Sequence, residues 1–151
     1  MADAKFEESK LHDIAHFGIR ATIGTIFIVH GFGKFDPRFV GFLNQIGIPA
    51  EMQILIALAE FVPGILLIVG VLTRISASIL AIVMLGAIFH VKHATNLTGQ
   101  GGIEFELILL AGVLTIIVAG PGRVSLSHVV KKVPKFSPTN RIYTISWFIQ
   151  K

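Results

Sequence analysis

The chain has 151 residues, 53% of them hydrophobic and only 15% charged, with a mean hydropathy of +0.76. Those values exclude an ordinary soluble domain of this length and indicate a single compact integral membrane unit. It contains no cysteine, which removes a disulfide, a thiolate nucleophile and a thiolate metal site from consideration.

Residues 1–15, MADAKFEESKLHDIA, carry both signs of charge and lack the short apolar run and small-residue cleavage site of a secretory signal. They read as a cytoplasmic segment, with the first span a retained signal anchor. A spanning helix needs about 20 largely apolar residues. Four such stretches are predicted, at about 16–35, 52–73, 75–94 and 103–120. Span 1 carries Arg20 near its inner end, where a long side chain can snorkel to the headgroups. Between spans 1 and 2, Phe39, Phe42, Leu43 and Ile46 follow helical spacing and predict a short amphipathic surface helix.

Span 2 holds Pro63, which frees the carbonyl of Ala59 and kinks the helix one turn from Glu60. Span 3 ends in the polar, glycine-rich NLTGQGG, and span 4 is stopped by Gly120-Pro121-Gly122. A basic, aromatic tail at 123–151 follows, whose Tyr143, Trp147 and Phe148 suit a membrane interface. The organisation expected is thus a tail at each end of a 16–122 bundle: an all-α, four-helix integral membrane protein.

If the spans alternate, ten Lys and Arg residues (Lys5, Lys10, Arg20, Arg74, Arg123, Lys131, Lys132, Lys135, Arg141, Lys151) share one side against Lys34, Arg38 and Lys92 on the other. This asymmetry places both termini in the cytoplasm and the protein in the cell membrane as a four-span, multi-pass chain. The pI near 9.7 then reflects contact with anionic headgroups or partner subunits, not nucleic acid.

Five ionisable side chains fall toward the outer ends of the spans: His30, Glu60, His90, His93 and Glu104. Such groups are expensive in hydrocarbon and mark function by default. Glu60 lies roughly 10 Å below the outer end of its span, where it needs a cation or a proton. It serves either a structural ion pair or a proton relay and quinol-hydroxyl acceptor. His30 and Lys34, at i and i+4, share a helical face, so a buried imidazole leads to an ammonium near the surface. Lys34 alone reads first as a snorkelling lysine, as span-end lysines commonly are. His90 and His93, at i and i+3, with Glu104, make a formal two-histidine, one-carboxylate metal set, although one-turn histidine pairs commonly occur without metal. Glu106 is accounted for by the helix dipole.

The motif running from Arg20 through His30-Gly31 to Lys34, the EFVPG stretch from Glu60 followed by LLIVGVLTR to Arg74, MLGAIFHVKH, and GG-x-E-F through Glu104 with its later GPG resemble the DoxX family of small four-helix membrane proteins over about residues 16–126. The resemblance implies membrane redox chemistry: some relatives accompany quinol oxidases, thiosulfate-to-quinone electron transfer or oxidative-stress complexes. The expectation is a subunit with an outward-facing polar pocket that supports quinone-linked or other membrane oxidoreductase chemistry with partner proteins, as a homo- or hetero-oligomer. In it Glu60 and His30 handle protons, and Arg20, Lys34, His90 and Glu104 line the pocket. The rival readings are a non-catalytic accessory subunit of a larger membrane complex, and an oligomeric small-solute or proton transporter.

Overall fold

The computed structural model describes residues 10–126. The interfacial tail with Tyr143, Trp147 and Phe148, and the first nine residues, lie outside the described residues. Within them the chain is helical, without strands. Helix α1 runs Lys10–Gly33, α2 Phe39–Gln45, α3 Met52–Val69, α4 Thr73–Gly86 continuing into a π-helical turn at Ala87–Val91, and α5 Glu104–Ala119.

Three helical segments are long and apolar enough to cross a membrane: Leu11–Gly33, Met52–Val69 and Thr73–Val91. Helix α5 has 16 residues, a rise of about 24 Å. Helix α1 starts six residues before the expected span, because His16 and Arg20 extend its buried face downward through Ile23 and Phe27. Helix α3 ends four residues early. Gly70 takes φ 77°, and the N–H groups of Gly70 and Val71 both bond to the Leu66 carbonyl at 2.9 and 3.1 Å, a left-handed helix stop that favours glycine. The surface helix expected between the first two spans is α2, with Leu43 buried beneath it.

Helix α1 packs on α3, α3 on α4, and α4 on α5. Glycines set the closeness of the first pair. A Cβ on Gly24 would lie 2.7 Å from the Gly64 carbonyl oxygen, and one on Gly31 2.6 Å from the Phe61 nitrogen. Small residues allow such backbone contact, which is how helices associate without a water-driven force between them. The core is filled by Phe27, Leu67, Ala77, Leu80, Val113 and Ile116. Apolar side chains such as Ile54, Leu58, Val62 and Ile65 on α3 point outward, as expected where the solvent is lipid.

Candidate functional site

Gly31 brings α1 against Phe61, and one turn later Lys34 meets Glu60. Lys34 Nζ donates to Glu60 Oε1. Glu60 is 2% exposed, and its second oxygen, Oε2, has no hydrogen-bond partner. The chain leaving α1 is held in place by Gln53, whose Nε2 donates to the carbonyls of Lys34 and Asp36 at 2.9 and 2.8 Å. The Lys34 ammonium also sits 5.6 Å from the centre of the Phe39 ring, a favourable cation–π contact. Lys34 therefore does not snorkel; it neutralises a buried acid.

The ion pair borders two cavities. The larger, about 410 Å³, has walls of α2, α3 and the α4–π-turn segment, including Phe42, Leu43, Leu55, Ala59 and Ala87, and its polar groups are Lys34, Glu60 and His90. His90 Nε2 donates to the Ile46 carbonyl at 3.2 Å, tying the π-turn to the end of α2. The π-turn is closed by the Lys92 N–H bonding to the Ala87 carbonyl at 3.0 Å, and single π-turns of this kind occur mainly where a helix builds a site.

The smaller cavity, about 120 Å³, lies on the other side of the pair, lined by Lys34, Glu60, His30, Phe105 and Glu106 among others. His30 is exposed rather than buried, and its ring sits 5.9 Å from that of Phe105. The reason is helical phase. Gly31 takes the position facing α3, so its neighbour turns about 100° away, toward α5.

Three expectations are corrected. Arg20 does not line the pocket: it lies 14 positions before Lys34 on α1, about 21 Å along the axis, and is fully buried instead of snorkelling. Glu104 is exposed, and Glu106 takes its place at the cavity, accepting from Lys92 at 2.8 Å. The metal set of His90, His93 and Glu104 does not assemble. The helix has ended before His93, which is exposed at φ 51°, and among the described residues no three His, Asp or Glu side chains form a ligand group.

Glu106 was visible in the sequence by its phase. It shares a face with Leu109, Val113 and Ile116, all buried, whereas Glu104 shares one with Ile108, which is 71% exposed. Lys92, which pairs with Glu106 and donates to the Gly102 carbonyl at 2.6 Å, sits in the loop and had no periodic signal.

Apolar helices with lipid-facing exteriors, converging on a buried ion pair at the end of an apolar cavity, define a small integral membrane protein with a ligand-sized site. The DoxX family model matches residues 15–93, and the chain belongs to the DoxX family. It is 32% identical over 129 residues to CatD of Bacillus subtilis (strain 168), named provisionally as an oxidoreductase, covering 84% of this chain and 95% of CatD. It is 35% identical over 130 residues to the membrane protein Rv3486 of Mycobacterium tuberculosis, with 76% and 80% of the two chains covered. The inner membrane protein YqjF of Escherichia coli is 29% identical over 128 residues, with 82% and 97% covered. No solved structure matches the chain significantly.

Proposed function

We propose that the protein is a four-span component of a cell-membrane oxidoreductase system that binds a quinone-class molecule at the Lys34–Glu60 pair. In this reading α5 is the fourth span, both termini face the cytoplasm and the pair faces outward. The support is the charge asymmetry of the loops and the kinship with CatD. One observation carries the reading: a carboxylate 2% exposed, with one oxygen paired and the other without a hydrogen-bond partner, borders a largely apolar cavity. A buried acceptor without a donor is unfavourable, and a ligand hydroxyl satisfies it.

The residues present fit a quinone. Leu55, Ala59, Phe42 and Leu43 receive an apolar body, while Lys34, Glu60 and His90 meet polar ring substituents. When bound, the quinone supplies two-electron redox chemistry. The chain's own part is to hold the head on Glu60 Oε2, keep water from it with α2, and hold a proton at that carboxylate beside His30 in the smaller cavity. With no cysteine, a thiol couple has to belong to a partner, and partner subunits complete the system.

Titration of a short-tailed hydroquinone into the purified protein tests this. Glu60→Gln is expected to weaken binding by about tenfold, the equivalent of one charge-assisted hydrogen bond, and Ala59→Phe, which fills the cavity, to remove it. Unchanged binding in both variants would sink the proposal.

A further inference from the structure

At the far end of α1 from Lys34, two buried side chains lack what Lys34 and Glu60 give each other. Arg20 is fully buried. Its Nη2 donates to the Val124 carbonyl and its Cζ lies 5.7 Å from the centre of the Phe17 ring, but Nε and Nη1 have no hydrogen-bond partner, and among the described residues no carboxylate forms an ion pair with it. His16, one helical turn earlier, is 8% exposed, and its Nε2 is likewise unpartnered. A buried guanidinium without a counter-ion is a costly arrangement unless something else compensates it.

The surrounding turns are shaped to these two side chains. Gly70, at φ 77°, leaves room for the guanidinium: a Cβ there would lie 2.5 Å from Arg20 Nη1. Gly122, at φ 68°, does the same for the imidazole, since its Cβ would lie 2.6 Å from His16 Nδ1. Both positions demand glycine for conformation and for space.

Beside His16 is a cavity of about 190 Å³, lined by His12, Asp13, His16, Ala119, Gly122 and Arg123. Asp13 is engaged by Arg123 at 3.6 Å. Arg74 lies close by the same turn, its Nε 3.3 Å from where a Gly120 Cβ would be. The cavity thus holds two histidines and the Arg123–Asp13 pair, with Arg20 one helical turn from His16, at the level where α1 begins and α5 ends, which is the level at which membrane helices meet phosphate-bearing headgroups.

We propose that this cavity is a phosphate site, with His16 Nε2–H donating to a phosphate oxygen and Arg20 supplying fixed positive charge behind it. Water would satisfy a hydrogen bond but leave the guanidinium uncompensated; a phosphate does both. The same chemistry comes from an anionic phospholipid or from free phosphate. The site is independent of the Lys34–Glu60 pocket and stands whether or not that pocket binds a quinone.

The test uses the full-length protein, delipidated in detergent. Thermal unfolding and native mass spectrometry are followed on adding phosphatidylglycerol, phosphatidylcholine, inorganic phosphate, or sodium chloride at equal ionic strength. Phosphatidylglycerol or inorganic phosphate is expected to raise the unfolding temperature above the chloride control, the responding arm naming the source. His16→Ala is expected to weaken that binding by about tenfold, and His30→Ala, at the other end of α1, to leave it unchanged. If His16→Ala does not fold, His16→Gln and phosphorus NMR of added phosphate give the same comparison. A response no larger than chloride overturns the proposal, as does equal stabilisation by phosphatidylcholine and phosphatidylglycerol, or binding undiminished in the His16 variants.

Discussion

Glu60 and Arg20 are both charged, both fully enclosed, and both set on faces that pack between helices, yet their surroundings are opposite. Glu60 meets its counter-ion inside the protein and borders an apolar cavity. Arg20 meets a backbone carbonyl, the Phe17 ring and the Gly70 turn, and the cavity beside its neighbour His16 is lined by two histidines and the Arg123–Asp13 pair. The lesson is that a buried charge in such a protein is explained by what stands next to it, not by its depth. A paired acid with a spare oxygen suits a neutral donor; an unpaired cation suits an anion.

The largest expected effect comes from splitting the pair. Lys34→Met leaves Glu60 enclosed without a cation and is expected to destabilise the protein by about 3–5 kcal/mol. Adding Glu60→Gln to that variant removes the stranded charge and is expected to recover most of the loss, as measured by denaturant unfolding in mild detergent. If the single and double variants are equally unstable, Lys34 acts through packing alone.

Next is the seam that brings the pair together. Gly31→Ala places a methyl 2.6 Å from the Phe61 nitrogen, an overlap of backbone with side chain that is expected to cost about 1–3 kcal/mol. Gly33→Ala, where a Cβ would meet nothing within 4 Å, is the control and should lie near wild type. His90→Ala loses the hydrogen bond to Ile46 and is expected to cost about 1 kcal/mol. Its clearer signature is faster hydrogen exchange in α2, with α5 unchanged.

The smallest effect concerns Asp36, outside the spanning segments. Hydrogen bonds from the Arg38 side chain and backbone hold its carboxyl down at about 2, against an ordinary 3.8. A carboxyl depressed in the folded state adds stability above its unfolded value and loses it as pH falls through the folded one. The contribution of Asp36 should therefore be intact above pH 3.8 and fade toward about pH 2. Arg38→Ala should return its titration by carbon-detected NMR toward the ordinary range. Because the group is exposed, no change in unfolding near neutrality is expected, a contrast with Lys34→Met.

The helices were legible because apolar runs of spanning length are hard to mistake, and Gly120 stops α5 as expected; the stop at Gly70 was not legible, because the apolar run continues past it to Thr73. Helix α2 was legible from Phe39, Phe42 and Leu43 alone. The importance of Glu60 was also legible, since depth in an apolar run needs no partner to be noticed. Its partner was not: Lys34 can snorkel or turn inward, and Gly31, 26 positions of chain before Ala57 but touching it across the seam, decides which. Glu104 and Glu106 both lie in the first turn of α5, and only helical phase separates them, Glu106 facing the cavity and Glu104 facing out. His16 gave no signal because it only opens the first apolar run, at the end where polar residues are expected, although it stands on the same α1 face as Arg20, Ile23 and Phe27.

The glycine seam between α1 and α3 has a mechanical consequence. With Gly24 against Gly64 and Gly31 against Phe61, the two helices touch backbone to backbone and leave no side-chain layer to slide on, so the hairpin they form is the stiff half of the molecule. Any widening of the larger cavity must be borne by its other walls: the seven-residue α2 and the π-turn at Ala87–Val91. The π-turn is suited to that strain, since a helix carrying one inserted residue can shift its bulge along the chain and re-aim a side chain such as His90 without breaking.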